Sequence, residues 1–321
     1  CDIAAELSVV TTIDELEQVT CKDKILLLKG EICAEQLMPR NFTFYNPDHH
    51  KKIYTLLEAK QPAAIIAATT RKPELVGALY PFPLIEDGDF DIPNFFCNEV
   101  TGERISVKMR ETFRLKAEAE RIPAQANNVI ARTNPEAEEK IVIFAHIDAY
   151  GDSLGASDNA SGTAVLLLLA EMFRDYQGSI GIEIIAINGE DNYSAGGEKD
   201  YLLRYGNELS KIVVAINLDD IGYIQGKTAY SFYECPETIQ QSVQESFQKY
   251  EGLVMGERWY QSDHMVFVQK GIPAIALTTE KITELMAGYT HTSRDTPDIV
   301  DCGKLVDVAR ALRDFIIGYT S

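Results

Sequence analysis

The chain reads as an α/β protein: a mixed, mostly parallel β-sheet flanked by helices, preceded by a smaller α+β domain. Two observations predict this. From about residue 105 onward, apolar runs of strand length alternate with segments whose apolar residues recur at helical spacing. Before that point the strands are shorter and the rhythm differs, so the expected division is 1–105 for the first domain and 106–321 for the second. With 321 residues and 45% hydrophobic content, the chain is long enough to fill two real cores.

In the first part, KILLLKGE (24–31) and PAAIIAA (62–68) read as strands around a helical stretch, HHKKIYTLLEAKQ (49–61), with His49 and His50 as its exposed start. DIPNFFCNE (91–99) reads as a further strand closed by a turn at Thr101 and Gly102. A bridging segment of mixed charge leads into NNVIART (127–133). IVIFAH (141–146) is then a strand, and ASGTAVLLLLAEMFRDY (160–176) a helix behind the N-cap candidates Ser157 and Asp158. IGIEIIAIN (180–188) is a strand, EKDYLLRYG (198–206) a helix and KIVVAINLD (211–219) a strand. PETIQQSVQESFQKY (236–250) is a helix opened by Pro236 and Glu237, GIPAIALTT (271–279) a strand, and KLVDVARALRDFIIGY (304–319) the closing helix.

Charge narrows the function classes. The 49 acidic against 30 basic residues give a formal charge of −19, which repels a nucleic-acid backbone and an anionic membrane surface. No apolar run has the length of a membrane helix; the longest, AVLLLLA (164–170), is too short. Six irregularly spaced cysteines form no CxxC pair, so buried free thiols are expected rather than a zinc ribbon or a disulfide framework. The chain starts without Met and without a signal-peptide pattern, which reads as a mature or trimmed form and leaves its compartment open, cytoplasmic or extracytoplasmic.

The polar residues carry the functional argument. In open α/β sheets, ligands bind beyond the carboxyl ends of the strands. His146 ends one predicted strand, Glu190 and Asp191 follow another, and Asp219 ends a third. Asp158 stands in the small-residue turn GASDNASG, and His291 in the loop HTSRDTPD. Two histidines and three carboxylates, with Glu190 to spare, suit a two-metal hydrolytic centre, in which Asp158 has one oxygen for each ion and the spare carboxylate takes a proton. Asp148, two residues past His146, is placed to accept the imidazole's other N–H. Each residue alone also has an ordinary reading: a structural hydrogen bond for His146, an N-cap for Asp158, a solvated loop for Glu190 and Asp191, a hydrogen-bonded surface residue for His291. Spacing does not choose between Asp219 and Asp220.

Taken in order, HID (146–148), SDNASG (157–162), the Glu190–Asp191 pair, NLD (217–219), SDHMVF (262–267) with GIPA (271–274), and HTSRDTPD (291–298) resemble the M28 family of zinc aminopeptidases and related metallopeptidases. The resemblance runs from about Asn128 to Asp301. It implies a zinc-peptidase/phosphorylase-like fold, two zinc ions or other divalent ions, and peptide substrates with a free N-terminus. It implies His146, Asp158 and Asp219 on one ion, Asp158, Asp191 and His291 on the other, and Glu190 as general base. It also places the SDH segment near the pocket for the substrate's first side chain, so Tyr260, Asp263 and His264 are candidate substrate contacts. Trp259, Met265 and Phe267 are candidates for an apolar wall there, with core packing an equal alternative for the last two.

Two positions depart from that pattern. Asp191 stands where many members have Glu, and the tyrosine often found beside the last histidine is here Tyr289, two positions before it. The first part resembles a protease-associated domain, ahead of which the family has a stretch of the catalytic domain; few residues stand there in this chain. Two other functions share this fold: a glutaminyl-cyclase-like acyltransferase with a single zinc, and an inactive peptide-binding homologue. The six metal-competent positions argue against the second.

Overall fold

Seven consecutive residues of one strand, Lys140–His146, are all buried, and that strand lies at the centre of the larger of two sheets. The computed structural model describes residues 1–35, 37, 47–69, 90–120, 122–151, 153–191, 196–260 and 262–319. These divide into two compact units, Cys1–Gln125 and Ala126–Ser321.

The first unit comprises β1 (Asp2–Val10), α1 (Ile13–Gln18), β2 (Ile25–Leu28), α2 (Asp48–Lys60), β3 (Ala64–Thr69), β4 (Asn94–Asn98), α3 (Glu99–Ser106) and β5 (Thr112–Lys116). Its sheet has the order β4-β3-β2-β1-β5, parallel except for the antiparallel pairing of β1 with β5. That pairing draws residues 112–116 into the first unit, beyond the expected boundary at 105. β1 alternates between exposed and part-buried over its first residues, and this half-buried pattern lacks the apolar run that marked its neighbours.

Two expectations in this unit are corrected. Thr101 and Gly102 form no turn but lie in α3, capped by the Asn98 side chain, which accepts a hydrogen bond from Thr101 N at 2.9 Å. Gly102 serves close packing: a Cβ there would lie 2.4 Å from the Ala68 Cβ on β3. At the start of α2, His50 is buried rather than exposed, because its ring turns under the helix toward Glu35.

The second unit comprises β6 (Val129–Thr133), β7 (Lys140–His146), α4 (Ser161–Met172), β8 (Gly181–Ile187), α5 (Gly196–Tyr205), β9 (Ile212–Leu218), β10 (Thr228–Tyr233), α6 (Glu237–Phe247), β11 (Leu253–Met255), α7 (His264–Val268), β12 (Ala274–Thr279), α8 (Ile282–Gly288) and α9 (Cys302–Tyr319). Its sheet has the order β11-β10-β12-β9-β7-β8-β6. The four central strands are mutually parallel, while β6 and β10 run antiparallel to their neighbours β8 and β12. The fold is thus the mixed, mostly parallel sheet flanked by helices that the alternation predicts.

Side chains alternate across β7. Ile141, Ile143 and Ala145 join one core with residues of α4, α6 and α9. Phe144 points to the other face, against Phe267 of α7 at 4.8 Å between ring centroids, with Tyr201 of α5 beyond it at 5.8 Å. Phe267 is therefore core, not pocket wall. At the far edge, the cross-strand pair Arg132 and Glu183 is an ion pair at 2.5 Å, and the buried Glu183 also accepts from Lys140 and Tyr201. Such pairing supplies the donors that a buried carboxylate requires.

Among the described residues no helix is long and apolar enough to cross a membrane. All six cysteines are free thiols, but Cys1 and Cys302 are exposed rather than buried.

One close approach links the fold to the site. A Cβ on Gly162, in the first turn of α4, would meet the Leu218 carbonyl at 2.5 Å and the Ala145 Cβ at 2.9 Å, at the ends of β9 and β7. Overpacking of this kind costs about 1–3 kcal/mol. Gly162→Ala should lower the urea-unfolding free energy by that amount, and an unchanged midpoint would show that the helix shifts freely.

Candidate metal centre

The carboxyl ends of β7, β8 and β9 bring His146, Asp191 and Asp219 to one rim of the sheet. Asp158 reaches the same point from the turn Ala156–Ala160 before α4, whose Asp158–Asn159 peptide is cis. His291, in a left-handed conformation at φ 60°, arrives from the loop after α8. Two donor triads share Asp158: His146, Asp158 and Asp219, and Asp158, Asp191 and His291, each with its donor atoms within 4.8 Å of one another; a third group, His146, Glu190 and Asp191, meets the same limit.

Asp158 belongs to both, one oxygen to each. Its Oδ1 lies 3.1 Å from His146 Nε2 and its Oδ2 3.1 Å from His291 Nε2. Asp219 Oδ1 lies 3.3 Å from His146 Nε2, and Asp191 Oδ1 2.8 Å from His291 Nε2. In a tetrahedral zinc shell with ~2.1 Å bonds, neighbouring donors stand about 3.4 Å apart, so these separations fit the ion with small adjustments. The donor chemistry fits as well: imidazole Nε2 and carboxylate oxygens are zinc ligands, and the second Asp191 oxygen is buried without a hydrogen-bond partner among the described residues. The shorter side chain of Asp191 still reaches the cluster.

The surroundings fix these candidate donors. Asp295, wholly buried, accepts from Ser157 N at 2.7 Å and Asp158 N at 3.1 Å, tying the His291 loop to the Asp158 turn. The choice between Asp219 and Asp220 is made by direction. Asp219 faces His146 and takes a hydrogen bond from Ser262 Oγ at 2.6 Å, whereas Asp220 accepts from Ser157 Oγ at 2.8 Å. Asp148 departs from expectation. The nearer partner of His146 Nδ1 is the Asp148 carbonyl at 3.2 Å, with the carboxylate at 3.9 Å. That carboxylate instead accepts from the backbone N–H groups of Gly189, Glu190 and Asp191, which makes it the clamp on the loop carrying those acids.

Electrostatics separate the carboxyls. Burial would raise Asp158, but its bonds to both histidines outweigh this and hold it well below the usual range. Burial pushes Asp191 up to about 6, helped by the Asp158 charge. Glu190 is held well above the usual range by burial and by the neighbouring Asp191, Asp219 and Asp158, against the pull of His146. Both imidazoles lie well above their usual range, since bonds to paired carboxylates overcome burial. The rim thus favours positive charge strongly, and among the described residues no Lys or Arg forms an ion pair with Asp158, Asp191 or Asp219.

The expected substrate contacts divide. Tyr260 is half exposed, 5.8 Å from the Tyr233 ring; Gln261 lies outside the described residues. Asp263 and His264 are fully buried, because His264 Nε2 is bonded to the Trp259 carbonyl at 2.9 Å and its ring packs on Tyr233. Tyr289 packs on Tyr223 with the Arg294 guanidinium 5.4 Å over its ring, and it is Tyr150 whose ring stacks on His291, at 4.7 Å. Nothing in the spacing of Tyr150 marked it out.

Residues 128–316 match the model of peptidase family M28. The chain belongs to that family. The glutaminyl-peptide cyclotransferase of Drosophila melanogaster is 23% identical over 234 residues, 60% of this chain and 65% of that protein. Aminopeptidase YwaD of Bacillus subtilis is 25% identical over 223 residues, 67% of this chain and 48% of that protein. The chain therefore spans less than two thirds of either relative. The solved structure of BSAP, a zinc aminopeptidase from Bacillus subtilis, has a TM-score of 0.71 at 20% identity, covering 99% of this chain and 76% of that one, which establishes a common fold.

A second acidic pair lies behind the M28 rim. Glu198 of α5 and Asp263 are both buried, and among the described residues no other side chain donates to any of their four oxygens. With one proton between them they hydrogen-bond each other; burial, and for Asp263 also the Glu198 charge, holds both above the usual range. The unfolded chain releases that proton above about pH 4. Stability therefore falls as pH rises from there toward the folded values. Between about pH 5 and about pH 8, Glu198→Gln should lose less unfolding free energy than the parent; parallel losses would show that no proton is shared.

Proposed function

We propose that this chain is a two-metal aminopeptidase that hydrolyses the N-terminal peptide bond of peptides. The observation that carries the reading is the division of Asp158 between two imidazoles, each with its own additional carboxylate. His146, Asp158 and Asp219 would hold one zinc, and Asp158, Asp191 and His291 the other. When bound, the ions supply a water of lowered pKa and polarise the scissile carbonyl.

The chain's own groups do the rest. Glu190, whose backbone N–H is clamped by Asp148, takes the proton of the attacking water on its carboxylate and returns it to the leaving amine. Its affinity for a proton, raised by burial and by the surrounding acids, suits a base that must work near neutrality. The free amine of the substrate is drawn to the carboxylate-rich rim, and the exposed face of Tyr260 is offered to its first side chain. The first unit, with its strand, helix and strand order through β2, α2 and β3, is read as protease-associated-like.

Glu190→Gln should keep the metal content of the parent and lower kcat by about 10²–10⁴. Near-normal turnover with full metal would remove Glu190 from this role. Metal stoichiometry combined with hydrolysis of a panel of aminoacyl anilides tests the activity itself. Two ions and cleavage are expected. A single ion with cyclisation of N-terminal glutamine would assign the chain to the cyclotransferase reaction instead, and two ions without cleavage of any unblocked substrate would refute the aminopeptidase reading.

A further inference from the structure

A second set of zinc-type donors lies within the first unit. Glu35 follows the short turn Gly30–Cys33, and His49 and His50 open α2. His49 Nε2 lies 2.5 Å and His50 Nε2 3.4 Å from the same oxygen, Glu35 Oε1, and the three donors fall within 4.8 Å of one another. Adjacent helical residues point about 100° apart, so their side chains ordinarily diverge. Here the two rings stand edge to face at 4.4 Å and present their Nε2 atoms to one point.

The chemistry of each donor suits an ion. His50 is almost wholly buried, which fixes its ring. Glu35 supplies a carboxylate oxygen that both rings face. The 3.4 Å from His50 to Glu35 is the donor separation of a tetrahedral zinc shell, about 3.4 Å for ~2.1 Å bonds. The His49 contact is shorter, and that ring, 45% exposed, has room to open. Two imidazoles and one carboxylate with a solvent-facing fourth position form a recognised zinc ligand set.

We infer that Glu35, His49 and His50 form a site for one divalent transition ion of the zinc class, separate from the M28 centre. The ion ties the end of the Gly30–Cys33 turn to the start of α2, and because it binds the folded state it raises the stability of the first unit.

The test is metal analysis of the full chain loaded with Zn2+ and desalted, in the parent, His49→Ala and Glu35→Gln. Both replaced side chains are largely exposed, so the variants should fold. Each should carry one zinc fewer than the parent, show a lower zinc-induced rise in Tm, and hydrolyse aminoacyl anilides at the parental rate. In an Asp158→Asn background, which disables the M28 centre, one saturable zinc should remain and disappear when His49→Ala is added. Equal zinc in the parent and both variants, or binding in the Asp158→Asn protein that never saturates, overturns the site. Because anilide hydrolysis is read separately, failure here leaves the aminopeptidase reading intact, and failure of that reading leaves this site intact.

Discussion

One buried carboxylate, that of Asp158, must serve two imidazoles at once, and the second unit is arranged to keep its two oxygens facing apart. Three anchors hold its turn. Asp295 accepts the backbone N–H groups of Ser157 and Asp158, Asn159 donates to the Leu218 carbonyl at 2.8 Å, and Gly162 lets α4 close onto the ends of β7 and β9. With the turn fixed, His146 and His291 need only be brought to its two sides. The parallel sheet does this for His146 through the register of β7, and the loop after α8 does it for His291 through the same Asp295. A change at any anchor would therefore act on both triads together.

The same crowding sets the electrostatics. Four carboxylates within reach of two imidazoles repel one another in a poorly hydrated rim, and the proton affinities of Asp158, Asp191 and Glu190 diverge according to their partners. Asp158, bonded to both histidines, is driven down, Asp191 with one histidine rises to about 6, and Glu190, with burial and three neighbouring acids against it, is also raised. Groups pushed apart in this way are suited to different tasks, the most acidic to holding cations and the most basic to carrying a proton. The acidic balance of the whole chain spreads over the surface, whereas here a few charges are forced together, so net charge alone could not reveal the rim.

The sequence made the long buried elements legible because fully buried parallel strands are continuous apolar runs, and KIVIFAH, GIEIIAI and IVVAINL each read that way. Strands half open to solvent were harder to find: β1 alternates, and β11 has only three residues. Gly102 misled because a glycine that permits close packing looks, in sequence, the same as one that permits a turn. At the rim, the residue types and their strand-end positions brought out the five donors and Glu190. The partners around them stayed hidden, since Asp295, Glu198 and Tyr150 take their meaning from contacts across 137, 65 and 141 positions of sequence, respectively to Asp158, Asp263 and His291.

The SDH segment is bound into the fold by its own hydrogen bonds. Ser262 donates to Asp219 and accepts from Asn217 Nδ2 at 2.7 Å, so it links a carboxylate of the rim to the strand that carries it. Asp263 turns away to share a proton with Glu198, and His264 binds the Trp259 carbonyl, while Tyr233 accepts from Trp259 N at 2.8 Å. These bonds leave the Tyr260 ring standing into solvent on a backbone held from both sides. Its pairing with Tyr233 supports that placement from below. In this chain the buried SDH residues are thus the frame, tied to Asp219 through Ser262 and to Trp259 through His264.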